Sequence, residues 1–360
     1  QQSFLDSAIS QVADRNLSDI DLKVLIVLRL GAYQLLILKN PAHAAVSETV
    51  NLAKTVAGAS SASFVNALLR RTSENLDFVP DKESEKFSHP QWIIDAYLNV
   101  LKDEDAVRQQ LVANNFPATP TLVAWPGLST VEELEQEGAR FISGSRYALS
   151  FSGNPGSLSA IRERRAGVQD YGSQLVVENF VATDTGGLSW LDMCAGPGGK
   201  AAYLEALLFQ EKREPTLLLA NELSVERSKL VKQVVRKTRV ISADGRDLHK
   251  ELLNSESKFD RILIDAPCTG LGALRRRPEV RWRRTPADLP SLTALQRDLL
   301  DSAKGLLKPK GIIAYATCSP HLSETKWQIN GFLKDNPEFK RISVKEYADK
   351  DGDMQLWTYR

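Results

Sequence analysis

The sequence predicts an α/β fold in which a parallel sheet carries helices on both faces. An all-α region and a small α/β connecting region precede it. Three observations predict this. Apolar runs near residues 188, 216, 238, 261 and 312 alternate with helical patterns near 201, 224 and 295, the signature of a parallel sheet. Several of these runs end in polar residues, as strand ends do where open α/β sheets bind ligands. Residues 4–75 instead carry dense apolar positions at helical spacing.

In chain order, residues 22–38 read as a helix with Gly31 inside, and Pro41 interrupts it. Residues 44–57 and 63–71 follow as helices. Basic and acidic residues over positions 1–80 balance, seven against seven, so this region is not an obvious electrostatic clamp for an anionic partner. Polar residues 77–90, with DKESEK between two prolines, mark the best boundary. Residues 91–115 read as two short helices, 121–124 as a strand, 131–138 as a helix and 147–151 as a strand. Asn154, Pro155 and Gly156 mark a turn. After the five strands, residues 323–333 read as a helix, and 339–344 and 355–359 as final strands. The domains expected are 1–80, 81–167 and 168–360.

The central stretch is residues 188–200, LSWLDMCAGPGGK. A buried strand delivers a tight turn to a helix start. Gly196, Gly198 and Gly199 leave the backbone open to a ligand, and its N–H groups can hold a polar or anionic group. The loop is not a phosphate-binding Walker loop, because Ala201 follows Lys200 where Ser or Thr is needed. A tight turn with no ligand is the plainer reading.

Three later segments favour a nucleotide. Glu222 ends the second strand, where an acid can take both ribose hydroxyls; it also suits a helix start capped by Ser224. Asp244 closes the third strand and can receive an adenine amino group, or serve as an ordinary turn aspartate. Asp265, Pro267 and Cys268 follow the fourth strand, and Cys318 the fifth. A free cysteine is usually a buried, inert thiol. Two at equivalent strand ends beside a nucleotide site argue for chemistry.

LDMCAGPGGK, DAPCTG and YATCSP, in this order, resemble the RNA cytosine-5 methyltransferases that use S-adenosyl-L-methionine. VQDYGSQLV at 168–176 resembles the stretch before their first catalytic strand. RLGAYQLL, PAHAAVSETVNLA and FVNALLRR resemble the NusB-like helical domain of one branch, the RsmB-type (Sun/Fmu) bacterial 16S ribosomal RNA methyltransferases. The resemblance covers nearly the whole chain. It implies a Rossmann-like class I S-adenosylmethionine-dependent methyltransferase domain at 168–360. A NusB-like domain at 1–80 and an RNA-contacting connecting domain at 81–167 would precede it. Family members have helices before this start and continue past Arg360, so both ends are expected to be truncated.

The resemblance also implies roles. Cys318 is the nucleophile, Cys268 assists product release, and Asp265 binds the cytosine edge and borders the cofactor. Cys194, Ala195, Gly196, Pro197, Gly198, Gly199 and Lys200 hold the methionine end of the cofactor, with Glu222 at the ribose and Asp244 at the adenine; Arg227 is a further cofactor-binding residue. Lys200 can equally be an ordinary helix-start lysine. The attacking thiol needs electropositive help that the sequence does not identify, although the arginine run at 273–284 is a candidate.

Residues 273–284, ALRRRPEVRWRR, hold six arginines and one glutamate. Arginines neutralise phosphates and a Trp stacks on a base, so Arg275, Arg276, Arg277, Arg281, Trp282, Arg283 and Arg284 are the expected RNA wall; a solvated basic loop is the plainer reading. A net charge of +1 does not itself advertise nucleic acid. Hydrophobic content of 42% and charged content of 25% are those of a globular protein. No apolar run approaches the ~18 residues of a membrane span, and no signal peptide is visible. Three cysteines and four scattered histidines give neither a disulfide framework nor zinc-site spacing. The expectation is a cytoplasmic, metal-free monomer that methylates C5 of a cytosine in 16S ribosomal RNA. Transfer RNA or another RNA is the alternative substrate. A non-catalytic RNA-binding or ribosome-assembly factor is the alternative class.

Overall fold

The computed structural model describes residues 1–183, 186–213, 215–252, 258–342 and the backbone of 356–359. The chain forms two compact units, residues 1–95 with 105–115 and residues 96–104 with 116–360.

The first unit is helical. Helices α1 (Gln2–Val12), α2 (Leu22–Leu36), α3 (Ala42–Ala57) and α4 (Ala59–Ser73) pack around Ile9, Leu28, Leu35, Val65 and Leu69. Asp21 caps α2 by accepting the Lys23 and Val24 amides. Gly31 is needed by packing: a Cβ there would sit 2.6 Å from Leu69 Cδ1 and 2.9 Å from Thr49 Cγ2. A short α5 (Glu83–Lys86) follows, and α6 (Gln91–Leu101) and α7 (Glu104–Ala113) straddle the division between units.

The second unit opens with a four-stranded antiparallel sheet of order β2-β3-β1-β4. Its strands are β1 (Thr121–Ala124), β2 (Arg140–Phe141), β3 (Ala148–Ser150) and β4 (Ala166–Val168). Helices α8 (Val131–Gln136) and α9 (Ser159–Arg162) help cover a core of Leu122, Ala124, Leu134 and Leu149. The short β2 and β4 carry too few residues to display a period, so sequence reading passes over them.

Helix α10 (Tyr171–Ala182) then leads into the large sheet. Its members alternate as β5 (Ser189–Asp192), α11 (Gly199–Gln210), β6 (Leu217–Asn221), α12 (Val225–Val234), β7 (Arg239–Ile241), α13 (Leu248–Glu251) and β8 (Phe259–Asp265). They continue with α14 (Val280–Arg283), α15 (Leu289–Leu306), β9 (Leu307–Ala316), α16 (Lys326–Asp335), β10 (Arg341–Ile342) and β11 (Leu356–Tyr359). Among the described residues the order is β10-β11-β9-β8-β5-β6-β7.

Strands β5 to β9 are parallel, as the alternation predicts. The edge differs: β11 runs antiparallel to both β9 and β10. Thus β10 is parallel to β9, and β11 lies reversed between them. That order rests on pairing distant in sequence, which no local pattern encodes. The final strands expected at 339–344 and 355–359 overlap β10 and β11; positions 343, 344 and 355 lie outside the described residues.

Alternation along the central strands makes both faces apolar. Trp190 and Leu263 pack with Phe180 of α10 and Tyr203 of α11. Leu191, Ile262 and Ile264 pack on the other face with Leu299, Leu300 and Ala303 of α15. Each fully buried leucine contributes roughly 1.5–3 kcal/mol. Register aligns the carboxyl ends: Asp192 faces Ala220 and Leu263, and Asp265 faces Ala316. Among the described residues no helix is long and apolar enough to cross a membrane.

Candidate active site

Past Asp192 the chain turns through residues 193–198 into α11. Ala195 donates its N–H to Asn221 O at 2.8 Å, and Gly198 donates to Ala195 O at 2.8 Å. Gly198 begins α11 at φ +114°, with room for a Cβ denied by Val231 Cα at 3.0 Å. Gly196 is tighter. A Cβ there would stand 2.0 Å from Glu222 Oε2, the atom that accepts the Gly196 N–H at 2.9 Å. A carboxylate lying on the loop, rather than backbone strain, opposes a side chain here: Glu222 would have to move off its amide bond to admit one.

Strand β6 ends at Asn221, one residue before the acid expected to close it. Glu222 is buried, and its Oε1 accepts the Ser224 amide at 3.0 Å and lies 3.5 Å from Arg227 Nη1. Ser224 does cap α12, accepting from the Arg227 amide. The helix-start reading of this segment holds, and Glu222 also lines the cavity described below. Asn221 is a residue that sequence reading missed. Its side chain donates to Met193 O and Ala243 O at 3.1 Å and accepts the Ala243 amide at 3.0 Å. It thereby binds three strand ends together. Strand β7 stops at Ile241, so Asp244 does not close it; Asp244 caps the turn 245–247 and is held by Arg246 at 2.6 Å. That guanidinium holds its pKa below the ordinary carboxylate range.

Lys200, on the first turn of α11, reaches across to Asp265 Oδ2 at 2.7 Å and Ser173 Oγ at 3.3 Å. Burial opposes its charge, but the Asp265 carboxylate outweighs burial, and its pKa rises. Beneath this pair lies Asp192, 1% exposed, with neither carboxylate oxygen in a well-formed hydrogen bond. Burial foremost, then the Asp265 charge, pushes its pKa up from 3.8 to about 7 despite Lys200 and the nearby Cys194 amide. Its proton is therefore held more tightly in the folded chain than in the unfolded one. That contribution to stability is complete below pH ~4 and is lost as pH rises through ~7. Asp192→Asn is expected to exceed wild-type stability by roughly 2–4 kcal/mol at pH ~8.5, with the gap closing toward pH ~5. Urea titrations at both pH values check this; an equal difference at both would discard it.

Cys268 and Cys318 come together as free thiols with sulfurs 3.4 Å apart. Their loops hang from the adjacent strands β8 and β9, joined past the strand ends by Ala266 N–H to Ala316 O at 2.8 Å and Gly272 N–H to Cys318 O at 2.9 Å. The two thiols are pushed apart in acidity. The hydrogen bond with Cys268 draws Cys318 down, with help from Lys200 and Arg276 against burial and Asp265. The same bond, then burial and the negative groups Glu324 and Asp265, pushes Cys268 up. Cys194 differs: burial and three carboxylates push its thiol up, and it stays neutral.

Arg276 owes its place to Asp170, with which it forms a close ion pair. The arginine segment is not uniform. Arg277, Arg283 and Arg284 line a cavity of about 730 Å³ that Cys194, Gly196, Glu222, Asp244, Cys268 and Cys318 also line. Pro197, Arg227 and Asp265 belong to the same walls; Ala195, Gly198, Gly199 and Lys200 stand outside them. Trp282 is exposed and Arg275 is half-buried. Arg281 is 2% exposed beside Tyr97, whose hydroxyl donates to Leu271 O at 2.7 Å. Burial pulls its pKa down to about 10. It supports the segment from behind, because α14 turns one side of the basic run into the protein. Among the described residues no group of His, Cys, Asp and Glu could hold a metal ion.

The profile of the 16S rRNA methyltransferase RsmB/F family matches residues 181–356, and that of the NusB family matches residues 1–74. A Mycobacterium tuberculosis protein named as a methyltransferase is 41% identical over 93% of this chain and 76% of its own length. The ribosomal RNA small subunit methyltransferase B of Vibrio cholerae is 31% identical over 87% of this chain and 73% of its own. Among solved structures, PH0851 aligns with a TM-score of 0.80 at 22% identity, covering 99% of this chain and 86% of that one. NSun6 from Pyrococcus horikoshii, solved with SFG, aligns at 0.64 and 15% identity, covering 75% and 98%. These likenesses show the fold; the curated relatives show more. The chain belongs to the 16S rRNA methyltransferase RsmB/F family, RNA methyltransferases that take their methyl group from S-adenosyl-L-methionine.

Proposed function

We propose that this chain methylates C5 of a specific cytosine in 16S ribosomal RNA through a covalent bond between Cys318 and C6. The observation that carries the reading is the thiol pair, 3.4 Å apart, with the more acidic member flanked by Lys200 and Arg276. C5 of cytosine is a poor nucleophile. A thiolate adding to C6 displaces the C5–C6 π pair toward C5 and N3, and C5 becomes reactive. S-adenosyl-L-methionine, when bound, supplies an electrophilic methyl group. After C5 is methylated, loss of its proton returns the bonding pair to the ring and expels the Cys318 thiolate. Cys268, held as a neutral thiol, assists that release. Asp265, steadied by Lys200, takes the cytosine edge.

The residues present fit the cofactor. Gly196, Glu222 and Asp244 line one cavity, and Glu222 keeps unused lone pairs beside its two amide bonds. In this reading Cys194 to Lys200 hold the methionine end, Glu222 and Arg227 the ribose, and Asp244 the adenine. The exposed arginines and Trp282 meet RNA. Because a paired base cannot reach a thiol inside a cavity, the target is unpaired or flipped. Residues 1–80 help select the RNA, 81–167 contact it and 168–360 catalyse, in a cytoplasmic monomer.

The test offers the purified chain methyl-labelled S-adenosyl-L-methionine with protein-free 16S RNA or with transfer RNA, followed by nucleoside mass spectrometry. 5-Methylcytidine in 16S RNA alone is expected. The same nucleoside only in transfer RNA would move the substrate, another methylated base would overturn the chemistry, and cofactor binding without product would favour an assembly factor.

A further inference from the structure

We propose that Glu324 is a positioning residue that holds the loops of Cys268 and Cys318 in register for the thiol-to-thiol hydrogen bond, an inference that rests on the reaction proposed above. Each cysteine is followed by a hydroxyl residue, Thr269 and Ser319, whose oxygens lie 2.9 Å apart. Glu324, 0% exposed, sits behind them. Its Oε1 accepts the Thr269 amide at 2.8 Å and Gln296 Nε2 at 3.2 Å, and its Oε2 accepts the Thr269 hydroxyl. Since Thr269 spends its proton on the carboxylate, its oxygen is left to accept from Ser319. Gln296 donates in addition to Pro267 O at 2.9 Å, and Tyr315 of β9 donates to Glu324 O at 2.9 Å.

One buried carboxylate thus gathers donors from the Cys268 loop and α15, while its own backbone is tied to the strand that carries Cys318. A buried charge is tolerated only when so satisfied. Glutamine replaces it at a cost. Its oxygen can accept from the Thr269 amide and Gln296, but its N–H₂ then meets the Thr269 hydroxyl, which must turn from donor to acceptor, and the Cys268 loop loses its charge-assisted hydrogen bonds. Glu324 lines none of the cavity, so it acts through the thiols. The charged and titratable groups facing the pair are Asp265, Lys200 and Arg276, with Glu324 behind Cys268.

The experiment compares wild type, Glu324→Gln, Thr269→Val and Thr269→Ser in the full chain. Readouts are kcat and KM on the methylated RNA, cofactor affinity, and the rate of Cys318 alkylation by iodoacetamide against pH, read by peptide mass. A displacement of about 1 Å costs roughly 10²-fold in rate. Glu324→Gln is expected to lose kcat on that order with RNA KM and cofactor affinity nearly unchanged. Its Cys318 alkylation profile is expected to move to higher pH. Thr269→Val is expected to follow it and Thr269→Ser to regain most of the loss. Wild-type kcat and an unmoved alkylation profile in Glu324→Gln would overturn the proposal. If Glu324→Gln does not fold, the Val and Ser variants at Thr269 decide by the same criteria. If wild type makes no 5-methylcytosine, the reaction falls, while the alkylation profiles still decide whether Glu324 sets the thiol pair.

Discussion

Cys318→Ala is expected to abolish 5-methylcytosine formation, a loss on the order of 10⁶-fold as for other removed nucleophiles, and to leave no denaturant-resistant protein–RNA adduct. The cofactor should still bind, because the cradle proposed for it lies on the loops after β5, β6 and β7 while Cys318 follows β9. The wild-type pH profile carries the same signature. An unperturbed thiol ionises near pH ~8.5. The Cys268 hydrogen bond, Lys200 and Arg276 draw Cys318 downward, so kcat/KM should rise with pH through a midpoint below that value. Turnover by Cys318→Ala at more than a few per cent of wild type would exclude the covalent route through this residue.

Cys268→Ala carries the second large effect and its opposite sign in the adduct assay. Methyl transfer proceeds once Cys318 has added to C6, but release is impaired. An RNA-linked band that resists denaturant is expected to accumulate, with steady-state turnover down roughly 10²-fold, the scale of lost acid–base assistance. The physical basis is the split in acidity. Cys268 is pushed up and stays protonated, suited to moving a proton rather than attacking carbon. An adduct that persists in Cys318→Ala and vanishes in Cys268→Ala would exchange the two roles.

What could be read in the sequence follows from range. Strands β5 to β9 were legible because each is an apolar run closed by polar residues. The glycine loop was legible because its spacing is local. Asp192, Asn221, Asp170 and Glu324 were not, since each acquires meaning only from a partner far along the chain: Asp265, Met193 and Ala243, Arg276, and Thr269. The arginine run misled at Arg281 for a related reason. A charge run looks uniform in sequence, and only a helical turn such as α14 separates a buried member from its exposed neighbours. The motif resemblance identified both thiols, but not what makes them unequal.

The pairing of Asp265 with Ala316 has a consequence for how this family can vary. Cys268 lies three residues beyond one partner and Cys318 two beyond the other, so strand register sets the sulfur separation. Adding or deleting a residue between Ile312 and Cys318 would slide the thiol by about 3.3 Å and turn its side chain to the opposite face. That slide nearly equals the gap between the sulfurs. Length variation among active descendants is therefore expected to spare this segment, and to collect instead at the opposite edge of the sheet, where a residue gained or lost moves no reacting atom.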